Sequence, residues 1–406
     1  MRVMEEMRAW CLKKGWTADR IGRLLLYLAV TLEVVIVIID KSNYTNPVEG
    51  QLFRITFLLA AAKILLTKYS RREWLALCLF GLLGVLSYRA TGRNEILRIV
   101  AFVGACKGCE IRRLLKYVFF TTLGGCLLLV FLSVTGIYGG LALEADFGRG
   151  YVQVRYCLGL GHPNALHCMF MMLVLLGLYL YQEAMTWYWY LLLAAGNYGL
   201  YLLTDSNTGT LMTFCGIFGS MVFHYLKTWK EKRWVYLAAA MVLLFCVGFS
   251  ILAAESRFTR PENKWFGNPL IAQLETKLNG RIQHLYYGSE DSAGTTQTWS
   301  VLSRPENTDY FDMGFVRLFY WYGILPGAVY IVLNLLLIRQ FYKQKDGAGL
   351  VMMGVLAVYT VVEAHIISVY IGRNYLLFLL GMYGSPMLGA AECREEYLWR
   401  AYRLIG

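Results

Sequence analysis

Apolar runs follow one another along nearly the whole chain, and no other feature constrains its fold as strongly. They can be read at 22–39, 51–67, 73–88, 95–107, 114–138, 157–181, 186–204, 208–226, 234–254, 313–338, 348–370 and 374–390. A hydrocarbon core of roughly 30 Å takes about 20 apolar helical residues per crossing. The runs therefore predict an all-α polytopic membrane bundle of about twelve transmembrane helices. Those at 73–88 and 95–107 fall short of that length and predict a tilted pair or a re-entrant hairpin. With 57% hydrophobic and 16% charged residues, too little polar surface remains to cover a soluble core. Residues 1–406 are expected to form a single membrane domain, without a soluble module, low-complexity linker or internal repeat.

Lysine and arginine placement predicts the orientation, because loops left in the cytoplasm are enriched in both. Alternating the loops puts Arg8, Lys13, Lys14 and Arg20 inside, with Lys68, Arg71 and Arg72, then Arg112, Arg113 and Lys116. Lys227, Lys230, Lys232 and Arg233 follow on that side, then Lys343 and Lys345, and finally Arg394, Arg400 and Arg403. Both termini are thus expected in the cytoplasm of a plasma-membrane protein. Residues 1–23 are basic and amphipathic with no small-residue cleavage pattern after the first run, so that run reads as an anchor. The net charge of +12 is largely topological and does not indicate nucleic-acid binding. Most of the ten cysteines sit inside apolar runs as small apolar side chains, so no disulfide framework is expected. Cys106 and Cys109 form a CxxC with no second pair or nearby histidine, which argues against zinc.

Two outer loops break the charge rule, a smaller one at 139–156 and a large one at 255–312 between the ninth and tenth runs. The large loop carries Arg257, Arg260, Lys264, Lys277, Arg281 and Arg304 beside Glu255, Glu275, His284, Asp309 and Asp312. Clustered cations, carboxylates and a histidine at a membrane face suit an anionic substrate held in the lipid. Arg281 and His284 are three apart and share a face if this stretch is helical. Arginine offers a planar fork of donors to a diphosphate, although an outer-loop arginine is equally at home in solvent. Asp309 and Asp312 precede the run beginning at Met313. A partly desolvated carboxylate there suits general-base work, and Asp312 is also a good helix N-cap.

The smaller loop ends in Arg149, Arg155 and Leu158-Gly159-Leu160-Gly161-His162-Pro163-Asn164. Pro163 suits a first helical turn, which would set His162 and Asn164 at a helix N-terminus, where free N–H groups meet phosphate or sugar oxygens. A plain helix start with local capping explains the same residues. Thr204-Asp205-Ser206-Asn207-Thr208-Gly209 is a tight polar turn whose composition a simple connection also requires. Inside the runs, Glu33, Lys63, Arg98, Glu363 and His365 need partners or a cavity. Lys63 and Arg98 lie near run ends, where snorkelling is expected. Glu363 and His365 lie near the outer Arg373 and Asn374, and line either a shared cavity or an interhelical contact.

Taken in order, these marks resemble the bacterial polysaccharide repeat-unit polymerases of the O-antigen polymerase and ligase superfamily, especially the Gram-positive capsule and exopolysaccharide members. The resemblance runs from about residue 85 to the C-terminus. It rests on Arg155 with Gly159–Asn164, the Thr204–Gly209 turn, Asn279-Gly280-Arg281-Ile282, Asp312-Met313-Gly314-Phe315 with Tyr322-Gly323-Ile324, and Glu363 before Asn374. Two positions depart from the pattern. Asn207 stands where that superfamily usually has arginine, for which Arg155 or Arg373 would substitute, and Met313 stands where it usually has asparagine.

The resemblance implies a GT-C-like membrane glycosyltransferase, independent of metal and cofactor, that works at the outer leaflet. Its donor and acceptor would be undecaprenyl-diphosphate-linked oligosaccharides, with membrane lipid around it and a flippase and chain-length regulator as partners. In that reading Asp312 or His284 is the base. Arg281 and Arg155 meet the leaving diphosphate, and His162, Asn164, Tyr286 and Trp299 hold sugars. Asp205, Asp309, Arg317, Glu363 and Arg373 complete the substrate site. A ligase uses the same transfer chemistry. A transporter of the lipid-linked units is the different-class alternative, although no repeated halves are seen.

Overall fold

The computed structural model describes residues 17–147, 150–255, 268–287 and 293–389. Arg8, Lys13, Lys14, Arg149, Arg257, Arg260, Lys264, Arg394, Arg400 and Arg403, all used in the charge argument, lie outside the described residues. Fourteen α-helices account for most of the described chain. In order they are α1 (Ala18–Lys41), α2 (Glu49–Leu65), α3 (Arg71–Thr91), α4 (Glu95–Ala105), α5 (Ile111–Val134), α6 (Pro163–Tyr181) and α7 (Trp187–Thr204). There follow α8 (Asn207–Tyr225), α9 (Arg233–Ala253), α10 (Pro269–Lys277), α11 (Gly314–Tyr322), α12 (Ile324–Gln344), α13 (Gly347–Val362) and α14 (Tyr375–Met387).

Six of them, α1, α3, α5, α6, α9 and α12, are long and apolar enough to cross a membrane, whereas α13 and α14 are apolar but shorter. The 11 residues of α4 reach only about 16 Å at the helical rise; α4 packs back on α3 and on α2. At the centre is α6, in contact with α5, α7, α8 and α13. Met169, Met171, Met172, Leu173, Leu175 and Leu176 are all buried on it, which makes it apolar all round, as a helix enclosed by others must be. On the other side α14 packs on α4, α5 and α12. Gly381 lets α14 approach α4 closely, since a Cβ there would collide with the Cys106 Cβ. Cys106 is therefore packing material at a helix crossing.

Four expectations change. The run at 313–338 is two helices, because Gly323 at φ 97° ends α11 before α12 begins. The run at 348–370 is helical only to Val362, and residues 363–370 are irregular apart from bends. The smaller outer loop folds as an antiparallel hairpin, β1 (Ala142–Asp146) paired with β2 (Val152–Tyr156). Finally, Lys63 and Arg98 do not snorkel. Lys63 is buried and donates to Thr67 Oγ1 (2.7 Å) and the Lys107 carbonyl (3.2 Å). Arg98 Nη2 lies 3.2 Å from Glu33 Oε1, which also accepts from Thr56 Oγ1 at 2.7 Å. A buried charge left alone would be far costlier than this pair.

The break at Gly323 organises the large loop. With no side chain in the way, residues 301–303 lie directly on it, and a Cβ would meet Leu302 Cα, Ser303 N and Val301 O at 2.7 Å. Ile324 N and Leu325 N donate to the Ser300 and Val301 carbonyls at 2.9 and 3.0 Å. The end of the loop is thus stitched to the start of α12, directly after α11 and its Arg317.

Candidate functional site

Three chain segments bring charge to one end of the bundle. The first is the turn after α10, where Asn279 and Gly280 both adopt positive φ (54° and 78°). Glycine takes that conformation freely and asparagine tolerates it, so the pair reverses the chain. The buried Glu275 then accepts from the Ile282 and Gln283 amides at 3.2 and 2.9 Å, fixing the turn from which Arg281 extends. Arg281 Nη2 lies 2.6 Å from Glu363 Oε1, Nε lies 3.8 Å from Asp312 Oδ2, and Nη1 donates to the Leu278 carbonyl at 3.1 Å. Its side chain is only 12% exposed, against 44% for that of Asp312.

Asp312 owes this freedom to the register of α11, whose N-cap is Met313, without a side-chain capping bond. The N-cap reading of Asp312 is thereby corrected by one residue. Arg317, 1% exposed, anchors the approach by donating to the Phe311 carbonyl (2.9 Å) and the Ile367 carbonyl (3.2 Å) under the Tyr310 ring. Glu363 has left α13 at its C-cap, which turns its carboxylate towards the loop.

The hairpin and the two helix turns form the second segment. The register alternates, so exposed Val152, Val154 and Tyr156 interleave with Gln153 and buried Arg155. Arg155 Nη2 lies 3.2 Å from Asp205 Oδ2 and 2.5 Å from Gln153 Oε1, with its guanidinium over Phe147. Asp205 ends α7 at φ 49°. Phe147 also packs edge-on against His162 (5.7 Å), and its carbonyl accepts from Asn279 Nδ2 at 3.5 Å, which joins the hairpin to the Arg281 turn. His162 Nδ1 accepts from the Asn164 amide at 3.1 Å as the N-cap of α6. Partial burial, and then the Arg155 charge, hold the His162 pKa below the usual histidine value, opposed by Asp312. The ring is accordingly neutral near pH 7 and free to accept that bond.

The third segment is the chain between α13 and α14. Arg373 Nη2 donates to Ser368 Oγ at 2.6 Å, and Nη1 lies 3.6 Å from Asp40 Oδ2 at the end of α1. Lys41 Nζ is 2.9 Å from the same oxygen. His365 Nδ1 lies 3.1 Å from Cys168 Sγ on α6.

Of the residues singled out from sequence, Arg281, Asp312 and Glu363 meet directly, Arg155 meets Asp205, and Arg155 and Asp312 both act electrostatically on His162. The charge of Arg317 reaches Glu363, and that of Arg373 reaches Arg317. Others play different parts. Asp309 accepts from Tyr320 Oη (2.9 Å) while its carbonyl takes Trp321 Nε1 (2.8 Å), which fastens the loop to α11. His284 is exposed in a 3-10 turn with Nε2 close to Gly280, whereas Asp312 is the candidate base that contacts Arg281. Trp299 is stacked on Phe319 at 4.9 Å, so that ring face is already occupied. Asp40, Lys41 and Cys168 were not picked out as site residues. The adjacent Asp-Lys at the outer end of the first run was a usable signal, and nothing distinguished Cys168 from the other cysteines of apolar runs. Among the described residues no group of histidine, cysteine and carboxylate side chains is arranged to hold a metal ion. Compared with protein-family models, curated proteins and solved structures, the chain matches none.

Proposed function

We propose that this chain is a GT-C-like membrane glycosyltransferase of about twelve crossings. It would join undecaprenyl-diphosphate-linked oligosaccharide repeat units into capsular or exopolysaccharide at the outer face of the plasma membrane. The observation that carries the reading is Arg281, held between Glu363 and Asp312 and joined through Phe147 to the Arg155–Asp205 pair and the His162 cap. The departure at Asn207 weighs less once Arg155 reaches Asp205, because an arginine is delivered to that turn from the hairpin.

In this reading the acceptor hydroxyl oxygen attacks the anomeric carbon of the donor glycan. The bond from that carbon to the diphosphate oxygen breaks, undecaprenyl diphosphate leaves, and the hydroxyl proton passes to Asp312. Asp312 is the candidate base by position, half open beside Arg281, whose charge keeps it ionised and able to take a proton. Negative charge grows on the leaving diphosphate, where Arg281 and Arg155 stabilise it in a water-poor site. A flippase would supply the repeat units and a chain-length regulator would set the product size.

The test is glycan analysis of cells carrying Arg281→Ala or Asp312→Ala. Long-chain glycan should vanish while the protein still inserts and single lipid-linked units accumulate. Normal chain length in both variants sinks the proposal. Accumulated long lipid-linked polymer would instead assign a ligase, and movement of lipid-linked units across vesicles without lengthening would assign a transporter.

A further inference from the structure

The hairpin has two unlike faces. Along β2, Gln153 and Arg155 turn inward while Val152, Val154 and Tyr156 turn outward, the two valines 63% and 61% exposed. Cross-strand partners share a face, and the pairing sets exposed Glu144 opposite Val154 and exposed Asp146 opposite Val152. The outward face is therefore split lengthwise, apolar along β2 and acidic along β1, with the two strands about 5 Å apart.

The depth of the hairpin follows from α7. Its 18 residues rise about 27 Å, close to the roughly 30 Å of a hydrocarbon core. Exposed Trp187, Tyr188 and Trp189 stand at its start, as aromatic side chains do at a membrane–water boundary. One hydrocarbon thickness away, at its other end, Asp205 pairs with Arg155 of β2. The chain flanking the hairpin is packed on the last turns of α5. Ser133 Oγ donates to the Gly140 carbonyl at 3.1 Å, and a Cβ on Gly159 would collide with the Leu129 carbonyl. The hairpin thus bridges the ends of two helices, and the apolar surface is continuous across the bridge. Helix α5, long and apolar enough to cross a membrane, exposes Phe131 and Val134 near its end. Ile137 and Tyr138 continue that surface towards β2, and Leu202 and Leu203 extend it on α7.

We propose that the hairpin is an interfacial membrane element. Its β2 edge lies in the boundary between acyl chains and head groups, in the leaflet at the site end of the bundle, and its acidic β1 edge lies in the water above. Exposed Tyr151 and Tyr156 flank the valines, and tyrosine suits that boundary because its ring is apolar and its hydroxyl wet. A second copy or a soluble partner would have to end its contact where α5 and α7 meet lipid, and the apolar surface shows no border there. A consequence for glycan transfer rests on the function proposed above: a hairpin seated at this depth holds Arg155 level with the lipid phosphates. The lipid contact itself does not rest on that function.

The test is photo-crosslinking of the purified full-length chain in phosphatidylcholine nanodiscs, with p-benzoylphenylalanine installed singly at Val152, Val154 or Glu144 and adducts read by mass spectrometry. Both valine positions should give phosphatidylcholine adducts several-fold above Glu144. Valine adducts confined to a second copy or to another part of the same chain overturn the proposal, as do no adducts or equal yields at all three positions. Val154→Asp should raise the concentration of lipid-linked units needed for half-maximal chain extension several-fold at an unchanged maximal rate, with Val154→Leu at the wild-type value. An unchanged concentration in Val154→Asp overturns the placement of Arg155. Because the adducts form without glycan transfer, the lipid contact and the proposed function fail separately.

Discussion

His167 and His365 are both buried histidines, but their surroundings differ in kind. His167 is completely enclosed, with Nδ1 2.9 Å from Thr204 Oγ1 and Nε2 3.0 Å from Asn197 Oδ1. Asn197 in turn donates to the Thr210 carbonyl at 3.0 Å. That network ties α6 to α7 and α8 through neutral groups, and both ring nitrogens are used. His365 uses one nitrogen on Cys168 and leaves the other unmet beside Arg373 and Lys41. The first network is neutral and closed and fastens helices; the outer cluster is charged, with Arg281 paired to Glu363 and Asp312 and Arg373 paired to Asp40.

Four substitutions press on that difference, from the largest expected effect to the smallest. Arg281→Lys keeps the charge but loses the fork that reaches Glu363 and Asp312 together. Chain extension in membranes should fall about a hundredfold, with little change in the elution profile of the purified protein. His167→Ala should do the opposite. It leaves Asn197 and Thr204 without their ring partner in a dry interior and should cost about 2–3 kcal/mol. Thermal unfolding should reveal that loss, while chain extension per folded molecule stays at the wild-type level.

Gly323→Ala tests the link between fold and site. A Cβ there collides with backbone at 2.7 Å on a φ of 97°, a strain of about 1–3 kcal/mol. Residues 300–307 should lift from the break, detectable as faster proteolysis within that segment and reduced chain extension. The smallest effect is the pH response of His162. Its folded pKa lies below the usual value, so below about pH 6.5 the unfolded chain takes up the proton first. This contribution to stability is present at neutral pH and declines as the medium is acidified through that range. His162→Gln should flatten the fall in melting temperature between pH 7 and pH 5 relative to wild type. An unchanged slope would remove His162 from the electrostatic cluster.

Much of this layout was legible in the sequence, because long apolar runs and Pro163 each act locally. Helices start and stop close to the expected places at α1, α2, α8 and α9. The alternation in Val152–Tyr156 is a hairpin signal, masked by the charge of the loop around it. The break at Gly323 was harder to see, since only the packing of Val301–Ser303 onto it shows why a glycine interrupts an apolar run. At the site, Arg281 and Asp312 stood out as charges beside a membrane, but their meeting with Glu363 depends on a tertiary contact across 82 residues. Arg98 reads as a snorkelling end residue until Glu33 and Thr56 are placed beside it. Cys168 is distinguished from the other cysteines only by its neighbour His365.

The central claim is that Asp312 and Arg281 form a glycan-transfer site, and reconstitution tests it most directly. Purified wild-type protein in liposomes, given lipid-linked repeat units, should produce a ladder of lengthened products and release undecaprenyl diphosphate. Asp312→Asn, close in shape but unable to take a proton, should bind the units and give no ladder. A wild-type ladder that persists undiminished in Asp312→Asn would contradict the account.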